Sequence, residues 1–162
     1  MPDVAPRLQP SCAEDEAFLL GMMMVSEAAA KSLLLNLTTD DFYVTANRCI
    51  FSLMQMLASE GEPLPLSNVA LTRRAQYLRL AHVPASTIAE CLVGVWANSP
   101  YHAEFLRVRN ACQKRQLMAL CERVSEMLAH DHPIQEALDA WQDALADINP
   151  RTIERPRGLK YE

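Results

Sequence analysis

The sequence predicts an all-α fold that ends in a long antiparallel helical hairpin, and three observations predict it. Half of the 162 residues are hydrophobic while glycine occurs four times, and the abundant Ala, Leu and Met favour helix by intrinsic propensity. Apolar residues recur at helical spacing, as in Phe18, Leu19, Met22 and Met23, and again in Ile50, Leu53, Met54 and Leu57. From Ser99-Pro100 to His132-Pro133 no breaker interrupts the chain, which predicts one helix of roughly 30 residues.

Residues 1–10 carry three prolines and no periodicity, the composition of a flexible arm. Ser11 and Glu14 have the spacing of a capping box and predict the start of the first helix. Gly21 in that helix predicts close approach of a neighbour. A second helix is expected over 26–35, ending near Asn36. Thr38 is placed to cap an acidic turn holding Asp40 and Asp41, whose carboxylates suit the positive end of a helix. The third helix is predicted over 45–59 with Gly61 as its stop, and Phe42, Ile50, Phe51 and Leu53 as core. Pro63 and Pro65 keep the following connector extended, and short helices are expected over 67–74 and 87–96, the second opened by a Thr87/Glu90 box.

The hairpin is predicted as a helix opened by Pro100 behind a Ser99 cap and a partner over 133–148 stopped by Asn149-Pro150. Ile134, Leu138, Trp141, Leu145 and Ile148 alternate steps of four and three, the seam of a coiled coil. Phe105, Val108, Cys112, Leu117, Leu120, Val124 and Leu128 supply the opposing stripe. Residues 105–123 hold five bases (Arg107, Arg109, Lys114, Arg115, Arg123) and one acid, whereas 124–148 hold six acids and no Lys or Arg. Antiparallel packing is expected to bring these opposite charges together. The organisation read from the chain is an arm (1–10), a globular helical bundle (11–98), the hairpin (99–148) and a flexible tail (149–162).

Composition and spacing exclude several functions. A net charge of −5 disfavours a protein that works by neutralising a phosphate backbone, so direct nucleic-acid binding is not expected. No apolar run reaches the roughly 20 residues that span a bilayer, and no signal-peptide pattern opens the chain, so a cytoplasmic location is expected. The five cysteines are odd in number and form no C-x-x-C pair, which indicates neither a disulfide framework nor a zinc knuckle; they read as small buried thiols. His130-Asp131-His132 has ligand-type side chains without a third fixed ligand and reads as a solvated turn. No nucleophile stands in a recognisable relation to a base, and no two glycines frame a phosphate-binding G-x-x-x-x-G-K-[ST] loop. No enzyme, metal or cofactor is therefore expected.

One stretch carries more information than the rest. Residues 40–51 read DDFYVTANRCIF, and Phe42, Tyr43, Arg48, Ile50 and Phe51 fall at the positions of a segment characteristic of one family. Upstream, Glu14, Glu16, Leu20 and Gly21 fit an E-x-E-x-x-x-L-G opening. Downstream, Gly61-Glu62-Pro63-Leu64-Pro65-Leu66 resembles a G-x-P-I-D-L connector, and Ala89-Glu90-Cys91-Leu92 a Y-L-A-E-L helix. Together, over roughly residues 10–148, the chain resembles the N-terminal domain of bacterial replicative DNA helicases of the DnaB family. It departs from the family pattern at Val83-Pro84-Ala85-Ser86, where a Gly-Gly is usual, and at Pro65, where an Asp is usual.

The resemblance implies a small orthogonal helical bundle ahead of the hairpin. It also implies a non-enzymatic interaction module that dimerises or forms a higher oligomer and meets a replicative helicase, primase or helicase loader. For self-association the candidate interface is Leu117, Leu120, Val124, Leu138, Trp141, Leu145 and Ile148, which offer more apolar area than one helix pair needs. Arg73, Arg74 and Arg79 form the best local basic patch, with no acid between Pro63 and Ala89; they read as a solvated helix face or as a phosphate contact. The alternative function is a small helical nucleic-acid-binding or transcription-regulatory protein. Met22, Met23, Met24, Met54 and Met56 read as core filling, adaptable enough to line a partner groove if exposed.

Overall fold

A glycine without room for a side chain lets the 91–95 segment approach the first helix closely. At Gly21 an added Cβ would lie 2.0 Å from the Cys91 carbonyl oxygen and 2.8 Å from Val95 Cγ2. The structure, a computed structural model, describes residues 10–130 and 132–148. The expectations for residues 1–9, Asp131 and 149–162 lie outside the described residues. Among the described residues there are seven α-helices, a single 3-10 turn and no strand. They are α1 (Ala13–Val25), α2 (Glu27–Asn36), the turn (Thr39–Asp41), α3 (Thr45–Ser59), α4 (Asn68–Tyr77), α5 (Ala85–Glu90), α6 (His102–Ala129) and α7 (Ile134–Ile148). Two units divide within α6, the first ending at Arg115 and the second starting at Gln116.

The core of the first unit is built from the periodic stripes of α1 and α3. Leu19, Leu20 and Met23 of α1 and Ile50, Phe51 and Met54 of α3 are buried, together with Leu33 of α2, Leu71 of α4 and Ile88 of α5. The four expected core residues Phe42, Ile50, Phe51 and Leu53 are all buried. The Phe42 and Phe51 rings meet with centroids 4.8 Å apart and planes tilted by 31°, an offset geometry that suits the ring quadrupoles. Met22, Met23, Met24 and Met54 fill this core as expected, whereas Met56 is half-exposed and lies against Arg74.

Local signals explain most boundaries. Ser26 caps α2, its Oγ accepting the Ala29 N–H at 3.3 Å, and Ser67 caps α4 in the same way at 3.1 Å. Gly61 stops α3 at φ +87, with the Glu62 N–H on the Leu57 carbonyl at 3.0 Å and the Gly61 N–H on Ala58 at 3.1 Å, the bond pattern of a Schellman motif. The same pattern ends α4, where Leu80 N–H reaches Ala75 and Arg79 N–H reaches Gln76, both at 3.0 Å. There the left-handed position is held by Arg79, at φ 55.

Three predicted starts differ. α1 begins at Ala13 with Cys12 as N-cap and no side-chain cap; Ser11 therefore stands one residue outside the helix and the Ser11/Glu14 box does not form. α5 begins at Ala85 because the Pro84 carbonyl accepts Thr87 N–H at 3.0 Å and Ile88 N–H at 3.4 Å. This places Thr87 inside the helix, where it cannot pair with Glu90 as a box, and the helix ends before a turn with Gly94 at φ +74. α6 begins at His102, two residues after Pro100, and Ser99 instead accepts the Trp96 N–H at 3.2 Å.

In the second unit the end of α6 and α7 form the helical hairpin. The shielded side of α7 carries Ala137, which is buried, with Ala140, Trp141, Ala144 and Ile148 half-buried. Ile134, Leu138 and Leu145 face solvent at 70%, 48% and 39% exposure.

Candidate functional site

The acidic turn and its continuation, residues 38–48, are where the elements of the first unit converge. Asp41 is buried, and its Oδ2 accepts the Thr38 N–H at 2.7 Å and the Thr38 hydroxyl at 3.1 Å, while the Asp41 N–H bonds the Thr38 carbonyl at 3.1 Å, so the Thr38–Asp41 pair closes the turn. Arg109 of α6 donates to Asp41 Oδ1 at 3.0 Å. Arg115 donates to the carbonyls of Pro10, Asp40 and Asp41 at 2.9, 3.2 and 3.0 Å, and its guanidinium lies 5.4 Å from the Tyr43 ring centroid, within cation–π range. Arg48 donates twice to the Phe42 carbonyl, at 3.2 and 3.0 Å.

Glu16 closes this node from α1. Its buried carboxylate accepts the N–H groups of Tyr43 and Val44 at 2.7 and 3.2 Å and the Asn47 amide at 3.1 Å. α3 has Val44 as N-cap and no side-chain cap of its own, so a carboxylate from another helix supplies the anion its positive end favours. Sequence reading placed Glu16 in a motif without giving it this role, since the partner lies 27 to 31 positions away.

This arrangement corrects the charge argument for the hairpin. Arg107 pairs with Asp15 at 2.7 Å and Glu104 at 2.9 Å, Arg109 with Asp41, and Arg115 with backbone carbonyls. Three of the five bases are thus paired within the first unit. Local carboxylates and unpaired turn carbonyls won them, because a bidentate guanidinium fits both.

The basic patch is smaller than its sequence. Arg74 is bonded to Glu60, with Nη1 to Oε1 at 2.7 Å, and also reaches Met56 Sδ at 3.3 Å; the Glu60 hydrogen bond raises the Arg74 pKa and lowers that of Glu60. Arg73 and Arg79 are exposed. His130 Nδ1 contacts the Glu126 carbonyl at 2.8 Å and His132 Nδ1 contacts Glu136 at 3.4 Å. Among the described residues no group of three or more His, Cys, Asp or Glu is disposed to hold a metal ion, and no helix is long and apolar enough to cross a membrane.

Of the candidate interface residues, Leu117, Leu138 and Leu145 are exposed, Val124, Trp141 and Ile148 are half-buried, and Leu120 is buried. The apolar stripe left open also includes Leu128 and Ile134.

The family model for the DnaB-like helicase N-terminal domain matches residues 8–107. The chain belongs to that family. The crystal structure of the N-terminal domain of DnaB helicase from Mycobacterium tuberculosis has a similar fold, with a TM-score of 0.76 and 21% identity, covering 86% of this chain and 99% of that one. No curated protein matches the chain. The DnaB N-terminal domain is the non-catalytic part of a replicative helicase, and membership assigns this chain to that replication-helicase domain class. The family match spans α1 through the first turns of α6, the stretch that holds Glu16, Asp41 and Arg48.

Proposed function

We propose that the chain is a non-enzymatic interaction module of the replication machinery, which self-associates through the hairpin and receives a replicative helicase, primase or helicase loader. Membership in the DnaB N-terminal family supports the class of assembly. The observation that carries the interface is the division of α7: alanines and the Trp141 side are shielded, while Ile134, Leu138 and Leu145 remain open to solvent. Large aliphatic side chains left in a row are stabilised by meeting another apolar surface. A two-fold dimer lets one stripe cover its own copy.

The hydrogen-bonded node at 38–48 ties α1, the acidic turn, α3 and α6 together, and in this reading partners meet a preformed surface rather than a folding one. The nucleic-acid alternative loses support because Arg74, Arg107, Arg109 and Arg115 are committed to internal acids and carbonyls. Capture of purified host helicase, primase and loader on the immobilised chain tests the reading. Binding of at least one, with no affinity for duplex DNA at moderate salt, is the expected result. Duplex binding that falls steeply with salt, without capture of any replication protein, would replace it with the alternative.

A further inference from the structure

Cys49 and His82 form a thiol–imidazole pair: Cys49 Sγ lies 3.1 Å from His82 Nε2. The two residues are 33 positions apart in sequence and no motif links them. Cys49 is half-buried on α3, and His82 is exposed in the connection between α4 and α5. That connection is held in place on both sides. Arg79 sits in its left-handed position, the Ala81 N–H bonds the Arg79 carbonyl and the Val83 N–H bonds the Leu80 carbonyl, both at 3.0 Å, and Val83 is buried. The imidazole is therefore presented to the thiol by fixed backbone and not by a free loop.

We propose that Cys49, with His82 as its base, is a modification site for small-molecule disulfides. The thiol proton passes to His82 Nε2 as Cys49 Sγ attacks one sulfur of the disulfide. A new S–S bond forms between Cys49 and that sulfur, the old S–S bond breaks, the second sulfur leaves as a thiolate, and the proton passes from His82 to solvent or to that thiolate where it is basic enough. The disulfide is the oxidant and no other reactant is needed. A base within hydrogen-bond reach is what such a nucleophile requires.

The other thiols make the pair distinctive. Burial pushes Cys12, Cys91 and Cys112 up to about 11, and Cys112 donates to the Asp40 carbonyl and Cys91 to the Thr87 carbonyl. Cys121 is exposed and, among the described contacts, has no imidazole beside it, so it serves as an internal reference for an unassisted thiol.

The experiment treats the full chain with limiting 5,5′-dithiobis(2-nitrobenzoic acid) at neutral pH and assigns the modified cysteines by peptide mass spectrometry over time. Cys49 should react at least about tenfold faster than Cys121, the fast phase should vanish in Cys49→Ser, and the advantage should be lost in both His82→Gln and His82→Ala with helical content unchanged. If His82 only covers the thiol, the two histidine variants will react faster than the parent, and the proposal is overturned. A parent chain in which Cys49 reacts no faster than Cys121 overturns it equally.

Discussion

Glu16 and Tyr43, 27 positions apart, are joined by a 2.7 Å hydrogen bond from the Tyr43 backbone N–H to the Glu16 carboxylate. The bond is one of three that make a residue of α1 the anion at the start of α3. Glu16→Ala leaves two part-buried backbone donors and the buried Asn47 amide without their acceptor at a helix end, and the expected loss is about 2–4 kcal/mol of stability. Urea denaturation followed by circular dichroism checks it; a change under about 1 kcal/mol would mean that Asn47 and water satisfy these donors without the carboxylate.

Gly21→Ala should be as harmful for a steric reason. The new Cβ meets the Cys91 carbonyl oxygen at 2.0 Å, a backbone atom that cannot rotate away, so α1 and the 91–95 segment must separate. A loss of at least about 3 kcal/mol is expected, read as a lowered urea midpoint.

Arg79 predicts a change in the other direction. A side chain in the left-handed region is strained, whereas glycine is not. Arg79→Gly should stabilise by up to about 1 kcal/mol; the corresponding Gly61→Ala, at φ +87, should destabilise by a similar amount. Thermal melts of the two variants should shift in opposite directions.

The buried thiols give an alkaline dependence. Burial first and Glu90 second push Cys91 to about 11 from an ordinary 9.0, and burial first and Asp41 second do the same for Cys112. Between about pH 9 and 11 the unfolded chain releases thiol protons that the native state keeps, so the native state binds more protons there and stability falls as pH rises. Below that window the contribution is fully present. Melting temperatures taken from pH 8 to 10.5 should fall less steeply in Cys91→Ala/Cys112→Ala than in the parent chain.

The fold was legible in its helical stripes and in some local stops and turns, whereas the equally local Ser11/Glu14, Thr87/Glu90 and Ser99-Pro100 signals misplaced their helix starts. The α3 stripe gave its own bounds, Gly61 its stop, and Thr38 with Asp41 the acidic turn, because these depend on residues three or four apart. The site was legible only in part. Which acid Arg109 would choose is a matter of three-dimensional competition, and the pattern of opposite charges along the hairpin pointed to the wrong partner. Glu16 capping a helix 28 residues away and Cys49 meeting His82 have no sequence period at all. In α7 the spacing of Ile134, Leu138, Trp141 and Leu145 located an apolar stripe, but not that Ala137, Ala140 and Ala144 would take the shielded side and leave Ile134 and both leucines open.

The open stripe is the centre of the proposed function, and the oligomeric state of the chain tests it most directly. Light scattering across a concentration series should show a dimer or higher oligomer for the parent, and Leu138→Asp combined with Leu145→Asp, both on exposed positions, should give a folded monomer with helical content kept. A parent chain that stays monomeric at high concentration, or a double variant that associates as the parent does, would contradict the account.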